Sequence, residues 1–148
     1  MEHVELRIPV KASQESVWRA ITDWKRQGEW MFATKVDVTS DHHEGIGASL
    51  AAFTGFGPLG FLDTMTITKW EPPYRCDVNH TGRVVRGTGT FIVERISDEE
   101  SVFVWSEDLD LPLGALGRLG FALTRPAFIA GVRGSLEKFA RLVEAGKL

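Results

Sequence analysis

Apolar and polar positions alternate from the first residues of the chain. In "HVELRIPV", Val4, Leu6 and Ile8 are separated by charged neighbours, a period of two that predicts a half-buried strand. The period then lengthens. In "ASQESVWRAITDW", Val17, Ala20, Ile21 and Trp24 recur at helical spacing, with Ser13 placed to cap the helix. Glu15 falls in the first turn, where the helix dipole favours a negative charge. Gly28 in "KRQGEWM" reads as a break followed by a second short helix.

From residue 34 to 111 the short period returns. The segments "TKVDVTS", "GASLAAFT", "FLDTMTITKW", "RCDVNHT", "VVRGTGTFIVERI" and "SVFVWSEDLDL" read as six more strands. Their separators are short, so neighbours pair antiparallel. Trp70 and the following "EPP" end the fourth strand of the chain in a rigid turn. Beyond Leu111 the pattern is helical, with Val132, Leu136, Phe139, Leu142 and Val143 as its apolar stripe. Pro126 should start a new segment or kink a longer helix, since it lacks an N–H and crowds the preceding turn. The order of strand, two short helices, six strands and long helix predicts an α+β fold. It is a seven-stranded antiparallel sheet curled around a long C-terminal helix. No linker or repeat divides the chain, which reads as one domain over residues 1–148. A sheet curled round one helix fills its concave side with side chains or leaves a cavity, usually apolar with a few placed polar groups.

Charge modifies this picture only locally. The net charge of -3 speaks against nucleic acid as a partner. Residues 113–148 are basic: Arg118, Arg125, Arg133, Lys138, Arg141 and Lys147 stand against Glu137 and Glu144, which fits a solvated helix face. The lone cysteine, Cys76, excludes an internal disulfide, and its expected burial speaks against reactivity. With no apolar run near ~20 residues, stable membrane insertion is not expected. No leader-like segment opens the chain, and the expected compartment is the cytoplasm. The pattern sets no oligomeric state.

Glycine-rich "HTGRVVRGTG" invites a phosphate-loop reading. Gly82 and Gly87 have the required separation, but Thr88 and Gly89 follow, and strand lies on both sides. Gly82 is therefore expected in the tight turn of a hairpin. Gly87 and Gly89 share one face of the next strand, where missing side chains let the sheet bend or leave room for a ligand. His42, His43 and Glu44 in "DHHEG" fall in a solvated turn, and no metal site is expected there. The five tryptophans fit core and rim packing better than a base-stacking platform.

The element order, with "WEPPYR", "HTGRVVRGTGTF" and "WSEDLDLPLGALGRLG", resembles the START-like, helix-grip superfamily (SRPBCC). It is most similar to the bacterial polyketide cyclase/dehydrase and lipid-transport group, and the resemblance spans essentially the whole chain. It implies a hydrophobic small molecule, lipid or polyketide-like, held between sheet and terminal helix, with no cofactor. A cyclase or dehydratase, or a protein-interaction module, are alternatives the same resemblance allows.

Strand parity gives the candidate lining independently of that resemblance. Val78 and His80 share a face with Cys76, and Gly87, Gly89 and Phe91 share a face with Val93. Trp105 and its apolar neighbours bring Glu107 to their side, and Met65 brings Asp63. Asp63, His80 and Glu107 thus become polar residues on an apolar concave face. A Glu107–His80 pair would stabilise both charges and could act as an acid/base couple near neutral pH, as cyclisation or dehydration requires. Phe53, Phe121 and Phe128 complete the expected lining. Phe56 and Leu59 in the loop "TGFGPLGF" form an expected apolar gate, with "LGALGRLG" as the opposite lip.

Overall fold

The computed structural model describes residues 1–148. Its strands are β1 (Glu2–Val10), β2 (Thr34–Val38), β3 (Ser49–Phe56), β4 (Leu59–Glu71), β5 (Arg75–Thr81), β6 (Arg86–Ser97) and β7 (Glu100–Leu109). They form one curled antiparallel sheet in the order β1-β7-β6-β5-β4-β3-β2. Two helical pieces follow β1, namely α1 (Gln14–Ile21) and a 3-10 helix (Trp24–Glu29). The chain closes with α2 (Gly114–Glu144). This is the α+β architecture expected from the pattern.

Several boundaries differ from the sequence expectation, each for a local reason. Ser13 does cap α1, its Oγ accepting from the Ser16 N–H at 3.1 Å. Thr22 then ends the helix, donating its N–H and its hydroxyl to the Trp18 carbonyl at 3.1 and 2.7 Å. Trp24 therefore belongs to the 3-10 helix, and Gly28 lies inside that helix instead of before it. A Cβ on Gly28 would sit 2.5 Å from the Thr34 carbonyl oxygen, so the glycine permits close approach to β2. The β3–β4 connection is a tight hairpin, both strands running on to Phe56 and Leu59, and not the loop expected over residues 54–61. The β5–β6 turn takes residues 82–85, so Gly82 only opens it, and Val84 and Val85 belong to the turn.

The core lies between the concave face of the sheet and α2. Trp30 packs edge-to-face on Phe103 and Phe139, and Phe103 meets Phe139 at 5.3 Å. All three are essentially inaccessible. Val132, Leu136, Phe139, Ala140 and Val143 carry the C-terminal half of α2 onto this core, and Leu142 is half-buried. Each large side chain so buried contributes roughly 1.5–3 kcal/mol. The N-terminal half is different: Leu116, Leu119 and Leu123 are exposed. Pro126 neither ends α2 nor starts a new segment. The hydrogen bond it forfeits would run to the carbonyl of Ala122, an exposed residue whose oxygen water can satisfy. No helix is long and apolar enough to cross a membrane.

Trp70 contributes to the fold as well as to the end of β4. A bulge between Ile67 and Lys69 shifts the register, so that Trp70 faces Cys76 and turns to the same side as Ile67. There it meets Trp18 of α1 edge-on at 5.1 Å.

Candidate functional site

Where α2 loses contact with the sheet, a cavity of about 410 Å³ opens, lined by 27 residues of which 17 are hydrophobic. Its walls come from β2 to β7, from the stretch Trp24–Phe32, and from α2 between Ala127 and Ser135. Small residues make the room. On β3 the inward positions are Leu50, Ala52 and Thr54.

Three ionisable side chains stand together in this apolar wall. His80 on β5 is almost fully buried and lies between Asp63 of β4 and Glu107 of β7. Its Nδ1 is 2.8 Å from Asp63 Oδ1 and its Nε2 is 2.7 Å from Glu107 Oε2. Two carboxylate acceptors call for a hydrogen on each ring nitrogen, which is the imidazolium form. Burial alone would pull the imidazole down. The hydrogen bonds to Asp63 and Glu107, reinforced by their charges, outweigh it and push His80 up to about 10. Burial raises the Glu107 carboxyl above the usual carboxylate range, although the bond to His80 pulls the other way.

The sheet explains how Glu107 reaches His80 at all. β5 and β7 are not neighbours; β6 lies between them. Strands are spaced about 4.8 Å apart, so the two residues must bridge two such steps. On β6, His80 faces Gly87 and Glu107 faces Gly89. A Cβ on Gly89 would lie 2.9 Å from both Glu107 carboxylate oxygens. The bare strand is the passage through which the carboxylate crosses. Gly87 answers a different demand, with φ of +115° and the Asp108 carbonyl oxygen 1.9 Å from where its Cβ would be.

Of the residues expected from the sequence, the structure places Asp63, Met65, Val78, His80, Gly89, Phe91, Trp105, Glu107 and Phe128 in the cavity wall. Five others lie outside it. Phe53 falls between the inward positions of β3 and faces away from the cavity. Gly87 is spent on the backbone, and its neighbour Gly89 makes room for Glu107 as well as bordering the cavity. Phe121 packs on Phe128 at 5.9 Å, behind the wall. Phe56 and Leu59 sit exposed at the hairpin tip. Phe56 touches the site only through Phe32, a lining residue 5.8 Å away. Arg83 and Arg86 do not reach the buried acids; Arg86 instead lies 3.8 Å from Asp110. His43 faces only Glu44 at 3.4 Å on an exposed turn. Cys76 borders the cavity, and burial pushes its thiol up to about 12, away from the reactive thiolate.

Sequence reasoning missed Trp24, Gln27, Met31, Phe32 and Val85 as lining residues. They come from the 3-10 helix, the bend after it and the β5–β6 turn, where no period marks a side. Ser135 was also missed. It is a buried polar residue within the apolar stripe, and its Oγ accepts from the Phe32 N–H at 3.0 Å.

A curled seven-stranded sheet gripping a long C-terminal helix, with a cavity between them, defines a START-like helix-grip protein. The chain belongs to the polyketide cyclase/dehydrase and lipid transport family, whose profile matches residues 1–144. Solved structures with the same fold include TTHA0849 from Thermus thermophilus, 15% identical, with a TM-score of 0.81 over 99% of this chain and 100% of that one. The Zhui aromatase/cyclase from a Streptomyces species is 17% identical, with a TM-score of 0.73 over 98% and 97% of the two chains. Aha1 from Colwellia psychrerythraea is 18% identical, with a TM-score of 0.65 over the whole of both chains. Among curated proteins none matches the chain.

Proposed function

We propose that the protein binds a hydrophobic small molecule, lipid or polyketide-like, in the cavity between the sheet and α2, in the cytoplasm. One observation carries this reading: an apolar cavity of about 410 Å³ with a single buried cluster of ionisable groups in its wall. The apolar wall supplies affinity without direction, and the cluster supplies orientation. Native mass spectrometry on gently purified protein, followed by denaturation and identification of what is released, tests it. A stoichiometric apolar adduct is the expected result. A clean apo mass after exposure to lipid and metabolite extracts would count against it.

The same cluster favours a second reading, a cyclase or dehydratase. Cyclisation of a poly-carbonyl chain begins with removal of a proton from carbon beside a carbonyl. His80, protonated at neutral pH, is unsuited to accept that proton. Glu107, with a carboxyl raised by burial, is the better acceptor, and His80 then serves as its charged partner. This assigns the base differently from the couple expected from sequence. Glu107→Gln should lower turnover by about 10²–10⁴ while an apolar ligand still binds. Equal loss of binding and turnover would remove the catalytic role.

A further inference from the structure

The polarity of the cavity is one-sided. Among its 27 lining residues there is no lysine or arginine, and the only cationic group is His80. Both nitrogens of that ring are already taken by carboxylates. The second oxygens, Asp63 Oδ2 and Glu107 Oε1, receive no hydrogen bond from the protein. Neither is sealed off: the two side chains keep 15% and 13% of their surface accessible. What the charged groups of the wall offer a ligand is therefore acceptor capacity; its other polar residues, Gln27, Thr34, Thr54, Thr90 and Ser135, are neutral, and no free positive charge faces the cavity.

Resting on the ligand-binding reading above, we propose that the cavity selects apolar molecules bearing a hydrogen-bond donor, a hydroxyl on an aromatic or enolic carbon or an amine, and rejects apolar carboxylates and phosphates. A donor satisfies an open carboxylate oxygen that otherwise waits on water. An anionic head would leave water for a wall where two acids share one committed cation, so burial of its charge finds neutral donors and no free cation. The carboxylate of a free fatty acid and the phosphate of a phospholipid head are therefore disfavoured by charge.

The experiment compares four probes with one apolar body: naphthol, naphthylmethylamine, methoxynaphthalene and naphthoate. Trp24 and Trp105 line the cavity, so quenching of tryptophan emission on titration at neutral pH reports binding, with calorimetry as a second measure. Naphthol or the amine should bind at least about tenfold more tightly than methoxynaphthalene, as expected for one charge-assisted hydrogen bond. Naphthoate should bind more weakly than methoxynaphthalene. Preference for the amine over naphthol assigns a cationic ligand, and the reverse assigns a hydroxyl; both uphold a donor. If the four bind alike, or naphthoate binds best, the selectivity is refuted while the hydrophobic-ligand reading stands. If none binds and native mass spectrometry also finds no adduct, both fall together. Glu107→Gln, checked for folding by circular dichroism, should shrink the preference for naphthol over methoxynaphthalene; an unchanged preference would refute the role of the carboxylate.

Discussion

Replacing Gly89 with alanine isolates the crossing of β6 by the Glu107 carboxylate. The backbone at Gly89, unlike that at Gly87, is not in the left-handed region, so alanine meets no conformational strain. What its Cβ meets is the carboxylate: both oxygens at 2.9 Å and Cδ at 3.1 Å. The carboxylate must retreat by roughly half an ångström to reach ordinary contact, and it is held to His80 at 2.7 Å. A hydrogen bond to a charged group is worth about 1.5–3 kcal/mol. At 1.36 kcal/mol per pKa unit, its loss should lower the His80 value by about 1–2 units from its position near 10. The unfolded chain loses freedom on Gly→Ala, which returns about 0.4–1 kcal/mol. The net cost should be about 1–2 kcal/mol, or a fall of about 2–8 °C in Tm. Histidine-selective NMR titration reads the first effect and thermal unfolding the second. A His80 titration unmoved in Gly89→Ala, with the protein still folded, would refute the crossing. Gly87→Ala is the contrast, since its Cβ collides with backbone and should cost stability more severely.

Other consequences are equally direct. The raised His80 value makes its contribution to stability complete below about 6.5 and lost as pH climbs towards about 10. Urea unfolding across that window should show stability falling by up to about 1.4 kcal/mol per pH unit, a slope that His80→Gln abolishes; a flat wild-type profile would contradict it. Phe139→Ala removes a fully buried ring from between Trp30 and Phe103 and should cost about 3–5 kcal/mol in denaturant melts. Phe56→Ser with Leu59→Ser alters the exposed hairpin tip beside Phe32 and should change the exchange rate of a bound apolar probe in stopped-flow displacement. Unchanged exchange would end the gate idea.

Period two makes the candidate site legible in the sequence. On β4, β5 and β7 the inward positions follow the apolar ones, so Asp63, His80 and Glu107 sort to one side with them. On β3 the expectation that Phe53 lines the cavity fails. There Ala52 and Thr54 on the inward face leave the cavity open, and the bulky Phe53 between them points out. Apolar size predicts a packed interior, not a hollow one. Glu107 meeting His80 was expected, but Asp63 on the other ring nitrogen was not, because a diagonal contact depends on register and bend. Nor did parity reveal that Gly89 serves the carboxylate, a matter of distances across three strands.

The place of β1 in the sheet bears on how the chain reaches this state. Every other pair of adjacent strands is adjacent in sequence, so β2 to β7 can assemble as a run of hairpins, each closing locally. β1 alone pairs at long range, Glu2 facing Leu109 and Val10 facing Ser101. During synthesis it emerges first and has no partner until β7 is made, a wait on the order of 5–20 s at ordinary ribosomal rates. The strands that carry Asp63, His80 and Glu107 all belong to the hairpin run. In the interval Val4, Leu6, Ile8 and Val10 form an unpaired apolar edge, interrupted by Glu5 and Arg7. Those two charges act as gatekeepers against pairing with another nascent chain. The closing helix then adds contacts of still longer range, Lys11 N–H donating to Glu144 and Arg125 to the His3 carbonyl, and contacts of such separation slow folding.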